Sequence, residues 1–169
     1  MKKTIIDLFE DSVVKYGAKT FLLEKKHRAF EPTTYAETRE QALETGAGLA
    51  AAGIRPGDKV AILSEGCNAW ITSELGVFYA GAVSVPLSVK LEESNDLLFR
   101  MRHAEVRALF VSKYQLSKIR RIRAELPQVE HIIVIGHTPL EAGETALGTL
   151  RRMGLDYLAA NREEFLAIG

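Results

Sequence analysis

Apolar and polar positions along this chain alternate between helical spacing and short continuous apolar runs. Four runs, over 59–64, 82–86, 107–111 and 131–135, have the length of buried strands. Strands that alternate with helices through short links are typical of a parallel sheet covered on both faces. The pattern therefore predicts an α/β fold with a mostly parallel sheet over residues 34–136. The helices between these strands are predicted over 68–80, 92–103 and 112–126.

The segment before the sheet, residues 1–33, predicts a helix followed by a small β-hairpin. A cap at Thr4 precedes apolar residues at helical spacing, namely Leu8, Val13 and Val14. Two short apolar runs, over 20–23 and 28–30, flank a charged turn and predict the two strands of the hairpin.

Local signals also predict where individual elements begin and end. Thr34 and Glu37 have the spacing of a capping box, and Gly53 is suited to the left-handed residue after a helix. Proline cannot donate to a strand ladder, so Pro86 is expected to end the second strand of the sheet. Ser112 is expected to cap the helix after the third strand.

The pattern weakens after the fourth strand. Residues 137–144 predict a polar turn, and residues 147–153 and 162–168 predict short helices with no closing strand. We therefore expect residues 137–169 to be irregular and weakly ordered.

Composition limits the possible partners and the compartment. The 22 basic and 22 acidic residues cancel, so no overall charge favours nucleic acid or an anionic membrane. No run approaches the roughly 20 apolar residues of a membrane span, and the start lacks a signal peptide. The single cysteine excludes an internal disulfide. These features predict a cytoplasmic protein with neither a nucleic-acid partner nor a membrane span.

The glycine patterns do not occur where a nucleotide-binding loop requires them. Residues 46–51 fit G-x-G-x-x-A, but they lie late in a predicted helix and not at a strand-to-helix turn. Close packing of helices is the better interpretation of these small residues. The strands also do not end in the aspartate of a phosphoacceptor domain; they end in Ser64, Val85, Val111 and Ile135.

Isolated reactive side chains give no clear site. The four histidines are not at metal-ligand spacing with a carboxylate, so no metal site is predicted. Cys67 lies near a predicted helix start, but without a neighbouring base it is interpreted as a packing residue.

Several segments resemble AMP-forming acyl-CoA synthetases of the adenylate-forming superfamily. No single segment is diagnostic, but their order and spacing over residues 4–136 are specific, and bacterial long-chain fatty-acid CoA ligases are the most similar members. The segments are FEPTTYAE (30–37), GIRPGDKV (53–60), LSEGCNAW (63–70), LGVFYAGAV (75–83), VPL (85–87), HAEVRALFV (103–111) and LPQVEHIIV (126–134).

The resemblance implies the amino-terminal subdomain of an enzyme that converts ATP, a fatty acid and CoA into acyl-CoA through an acyl-adenylate. ATP, Mg²⁺ and CoA would serve the full-length enzyme, and a homodimer is possible in this family. The family's phosphate loop and carboxyl-terminal lysine are not among these 169 residues. We therefore expect the chain alone to have no catalytic residue, no tightly bound cofactor and no activity.

One binding residue follows from the resemblance. In relatives, a basic residue shortly after the Val-Pro strand approaches the 3′-phosphate of CoA, and Lys90 occupies that position. Arg100 and Arg102 on the next helix are weaker candidates. An exposed lysine without a ligand is the alternative interpretation of Lys90.

Two other functions remain open at this point. The chain could be a free-standing α/β module for binding or dimerisation, which light scattering would detect. It could also be a mononucleotide-binding protein of another family, which calorimetry with ATP or AMP would detect.

Overall fold

The structure is a computed structural model that describes residues 3–91 and 96–168. The helices of this part are α1 (Ile5–Tyr16), α2 (Tyr35–Ala51), α3 (Asn68–Tyr79), α4 (Leu98–His103), α5 (Leu116–Ile122) and α6 (Leu147–Leu166). The strands are β1 (Thr20–Lys26), β2 (Ala29–Thr34), β3 (Lys59–Leu63), β4 (Val83–Leu87), β5 (Val106–Ser112), β6 (His131–Ile135) and β7 (Glu144–Ala146).

Strands β3 to β7 form one parallel sheet in the order β4-β3-β5-β6-β7. Such an order places helices on both faces of a doubly wound sheet. Along β5, Ala108 and Phe110 face the core shared with α2, α3 and α6, whereas Leu109 and Val111 face α4 and α5. The predicted α/β class with a parallel sheet is confirmed.

Helix α1 and the antiparallel hairpin β1–β2 confirm the predicted opening helix and hairpin. The apolar stripe predicted for α1 is wrong, because Leu8 is 55% exposed and Val14 is 88% exposed. Ile6 and Phe9 are buried instead. Phe9 packs against the hairpin, with its ring centroid 5.7 Å from that of Phe21. This tertiary contact selects the buried face of a helix that has apolar residues on more than one side.

The predicted caps at Thr4, Thr34 and Gly53 are confirmed. Thr4 caps α1 in a capping box with Asp7, and Thr34 caps α2 in a second box with Glu37. In each box, the threonine oxygen accepts from one backbone amide and the carboxylate accepts from another. Gly53, after α2, has a φ of +92°, which glycine adopts without strain.

Two predicted element ends are wrong. Pro86 lies inside β4, where its missing N–H is tolerated because β4 is an edge strand. Ser112 ends β5 and does not cap a helix, since α5 begins only at Leu116 without a side-chain cap. Of the helix predicted over 92–103, residues 92–95 lie outside the described residues, and α4 forms its second half.

The main departure from the predicted pattern follows β6. A fifth strand, β7, pairs with β6, and one helix, α6, replaces the two predicted short helices. Asn161 has non-helical dihedrals and kinks α6. Leu150, Leu158 and Phe165 of this helix are buried in the core shared with α2 and α3. The weak order expected for 137–169 stays a prediction that hydrogen exchange can test.

Small residues let α2 pack closely between α3 and α6. A Cβ atom on Gly46 would lie 2.5 Å from the carbonyl oxygen of Gly76 in α3. A Cβ atom on Gly48 would lie 2.3 Å from the carbonyl oxygen of Leu150 in α6. Both distances are below contact distance, so these glycines serve helix packing, as predicted.

Candidate functional site

The carboxyl ends of β3 and β5 define a crevice in the sheet. The chain winds in opposite directions from this point, and doubly wound proteins bind ligands at such a switch point. The crevice has a volume of about 390 Å³. Seven of the side chains that line it have polar or reactive groups: Glu24, Ser64, Glu65, Cys67, Ser112, Lys113 and Tyr114.

A hydrogen-bonded carboxylate lies in this crevice. Gln115 Nε2 donates to Glu65 Oε1 at 2.6 Å, and Ser64 Oγ donates to the carbonyl of Glu65 at 3.0 Å. Burial raises the pKa of Glu65, but the hydrogen bonds that it accepts outweigh burial and lower that pKa. Ser112 is 4% exposed, and its side chain is one of the groups whose interaction with Glu65 lowers that pKa.

A second carboxylate reaches the crevice from the hairpin. Glu24 Oε1 accepts from the backbone N–H of Asn68 at 3.1 Å, and Asn68 Nδ2 donates to Thr33 Oγ1 at 3.3 Å. Asn68 is the first residue of α3, so a negative charge lies at the positive end of that helix. A nucleotide phosphate bound at this helix end would have to displace Glu24.

Cys67 occupies the N-cap position of α3. Its side chain is half-buried and packs against the core shared with α2 and α6. The predicted packing role is confirmed.

A separate groove lies beside the edge strand β4. It has a volume of about 490 Å³ and an apolar floor that includes Val85 and Leu87. Arg100 and His103 of α4 line it as well. Lys90 is exposed in the turn after β4, between Ser88 and Leu91, which both line this groove. Arg100 therefore lines this groove, whereas Lys90 lies in the turn beside it and is not one of its lining residues.

Arg102 belongs to a different surface. Its Nε donates to the carbonyl of Glu125 at 3.1 Å, and it lines a cleft near the amino ends of the strands with Asp58 and Arg107. The structure does not bring Arg102 together with Lys90.

No sequence signal predicts the contacts that shape the crevice. Glu24 lies 44 residues before Asn68, and Glu65 lies 50 residues before Gln115. No periodicity in the sequence links charged or polar residues that lie this far apart. Only the sheet order brings them to one edge.

Metal ligands and membrane helices can be assessed for residues 3–91 and 96–168. In that part, three or more His, Cys, Asp or Glu side chains are nowhere grouped so as to hold a metal ion. The helices of that part also lack the combined length and apolar content needed to cross a bilayer.

Comparisons with known proteins agree with the fold and identify the family. The sequence model of the AMP-binding enzyme family matches residues 9–161. The chain belongs to the AMP-binding enzyme family. In this family, the doubly wound sheet and the preceding hairpin form the amino-terminal part of the enzymes.

Relatives of different activity share this part. A long-chain-fatty-acid–CoA ligase of Thermus thermophilus is 29% identical over 145 residues, covering 84% of this chain and 27% of the relative. Crotonobetaine/carnitine–CoA ligase of Salmonella paratyphi A is 29% identical over 149 residues, covering 85% of this chain and 28% of the relative. The anthranilate CoA ligase AuaEII, solved with anthranoyl-AMP, matches with a TM-score of 0.80 at 28% identity, covering 87% of this chain and 27% of that one. The chain thus spans about a quarter of their length.

Proposed function

We propose that this chain is the amino-terminal part of a long-chain fatty-acid–CoA ligase. The match to the AMP-binding enzyme family over residues 9–161 carries the proposal, and the Thermus relative supports the fatty acid. The full-length reaction would convert ATP, fatty acid and CoA into acyl-CoA, AMP and pyrophosphate. Relatives named for crotonobetaine or anthranilate share the same segment. The fatty acid is therefore a more specific assignment than the family.

ATP and Mg²⁺ belong, in this proposal, to the whole enzyme and not to this chain alone. Glu24 and Glu65 line the switch-point crevice together with Lys113, and Glu24 already accepts from Asn68 at the start of α3, so a triphosphate would meet two carboxylates there. Like charges in a shared crevice repel each other. The proposed compartment is the cytoplasm.

A pyrophosphate-release assay tests the inactivity of the chain. With ATP, Mg²⁺, palmitate and CoA, we expect the 169-residue chain to release no pyrophosphate above a protein-free background. Robust turnover would contradict the proposed inactivity. In a longer protein that begins with this sequence, palmitate should be preferred over anthranilate and crotonobetaine, and the opposite preference would contradict the fatty-acid assignment.

Lys90 is proposed to contact the 3′-phosphate of CoA from the turn beside the groove that Arg100 lines. In the full-length ligase, Lys90→Ala should raise the KM for CoA about tenfold, as expected for loss of one charge-assisted hydrogen bond. The KM for 3′-dephospho-CoA should not change. Lys25→Ala removes another exposed lysine and is the control. An equal effect of Lys90→Ala on both forms of CoA would contradict the proposed contact.

A further inference from the structure

Another cleft lies at the carboxyl ends of β6 and β7, and it adjoins the switch-point crevice at Gly136, which lines both. It has a volume of about 390 Å³, and its lining includes His137, Arg151 and Arg152 but no aspartate or glutamate. We propose that this cleft binds a phosphate group. The inference rests on the side chains of the cleft and does not require the proposed ligase activity.

The direct hydrogen-bond partners of the Arg151 guanidinium are neutral. Its Nε donates to Thr45 Oγ1 at 3.1 Å, and its Nη2 donates to Thr72 Oγ1 at 2.7 Å. Both threonines are fully buried, so Arg151 is held between α2 and α3. Burial lowers the pKa of Arg151, and the charge of Glu44 opposes this effect only in part. A bound anion would stabilise the buried cation, because an uncompensated buried charge is costly.

Two other arginines of the chain, Arg120 and Arg107, form direct ion pairs with carboxylates. Arg120 Nη2 lies 2.7 Å from Glu144 Oε2, and Arg107 Nη1 lies 2.6 Å from Asp58 Oδ2. In the described part of the chain, no such ion pair joins Arg151 to a carboxylate. The lining of the cleft therefore has a net positive charge.

The first turn of α6 adds donors to the same cleft. Gly148 and Thr149 line it, and Ala146 at the N-cap has no side chain that could accept from their amides. Arg152 Nη2 donates to Thr149 Oγ1 at 3.2 Å, which holds the second guanidinium beside this turn. Free amides at the start of a long helix favour an anion. Here they supplement the cationic side chains.

A phosphate group fits these donors better than a single carboxylate does. Two guanidinium groups, an imidazole and backbone amides surround the cleft, and a phosphate presents more oxygens to them than a carboxylate. The phosphate could come from free pyrophosphate or from a phosphate ester such as CoA. The same donors would bind either source.

Titration of the ¹⁵N-labelled chain tests the proposal. With inorganic pyrophosphate up to about 10 mM, the range of weak binding, the Gly148 and Thr149 amides should shift in a saturable manner. Arg152→Gln, an exposed change, should weaken this binding about tenfold through loss of a charge-assisted hydrogen bond. Arg162→Gln is the matched control, since Arg162 lies on the same helix and pairs with Glu40 instead.

The outcomes separate a specific site from general attraction. No saturable shift at Gly148 and Thr149 would overturn the proposal, and so would equal weakening by Arg152→Gln and Arg162→Gln. Arg151→Lys, with its fold checked by circular dichroism, should also weaken binding, and unchanged affinity would count against the site.

Parallel titrations with CoA and 3′-dephospho-CoA show the source, because tighter binding of CoA at the same amides would identify a phosphate ester. A chain without ligase turnover can still bind pyrophosphate, so the two proposals fail independently.

Discussion

At the scale of single residues, the carboxylate of Glu10 joins three helices, and the buried hydroxyl of Tyr79 is one of its partners. Tyr79 is 3% exposed, and its hydroxyl donates to Glu10 Oε1 of α1 at 2.6 Å. Arg39 Nε of α2 donates to both oxygens of the same carboxylate at 2.8 Å. The carboxylate of Glu10 therefore has charge-assisted partners from α2 and α3, which fix α1 against them.

Replacing Tyr79 by phenylalanine removes this hydroxyl without changing the shape of the ring. The free energy of unfolding should fall by about 1.5 to 3 kcal/mol, the range for a hydrogen bond to a charged group. Urea unfolding at pH 8 measures this effect. Tyr114→Phe is the control, because Tyr114 is 72% exposed and its change should be within about 0.5 kcal/mol. Equal effects of the two substitutions would contradict the role of the Tyr79 hydroxyl.

The pH dependence of the same pair is a separate prediction. Burial, and then the hydrogen bond to Glu10, raise the pKa of Tyr79 above its ordinary value of 10.0. A raised pKa in the folded state means that its stabilising effect is complete below pH 10 and is lost as the pH rises further. The stability difference between the wild type and Tyr79→Phe should therefore shrink above pH 10. A difference that grows with pH would contradict this assignment.

At the scale of elements, the contact between α2 and α6 depends on glycine. A Cβ atom on Gly154 of α6 would lie only 1.8 Å from the carbonyl oxygen of Glu44 in α2. Backbone cannot yield to such a contact without moving a helix. The small residues of both helices therefore set their separation, and Leu150 and Leu158 are buried because of it.

Gly154→Ala should force α6 away from α2. We expect a loss of about 3 kcal/mol or more in the free energy of unfolding, at the upper end for overpacking. Gly148→Ala is the matched control on the same helix, where an added Cβ meets open space and should stabilise by about 0.5 to 1 kcal/mol. Thermal unfolding measures both, and hydrogen exchange of the α6 amides shows whether the helix detaches. A neutral Gly154→Ala would contradict the close contact.

At the scale of the whole molecule, the hairpin presents apolar side chains to solvent. Leu23 is 61% exposed and Phe30 is 65% exposed. Leu23 lies opposite Pro32 in the hairpin, and Phe30 is two residues from Pro32, so all three share one face. An exposed apolar face favours association, which supports the alternative function of a dimerisation module.

Self-association through the hairpin is therefore expected at high concentration. The double variant Leu23→Ser/Phe30→Ser should shift sedimentation velocity profiles from dimer towards monomer. Tyr114→Ser, which removes another exposed aromatic ring, should leave the profile unchanged. A wild-type chain that remains monomeric, or a control that dissociates equally, would contradict a hairpin interface.

Much of the fold followed from local patterns. The capping box at Thr34 and the cap at Thr4 predicted two helix starts, because their hydrogen bonds join residues three apart. The apolar runs predicted four strands, since a strand buried on both faces needs continuous apolar residues. Strand β7 was missed because its three residues are too few to show a period. The candidate residue Lys90 came from resemblance, and no local pattern pointed to the cleft with Arg151.

The sequence by itself determined the α/β class, the parallel sheet and the caps at Thr4 and Thr34, because these depend on interactions between near neighbours. Only the tertiary structure decided which face of α1 is buried and that Glu24 caps α3. It also decided that Arg151 lies between Thr45 and Thr72. These contacts join residues far apart in the chain, and their partners are determined by the order of the strands and the packing of the helices.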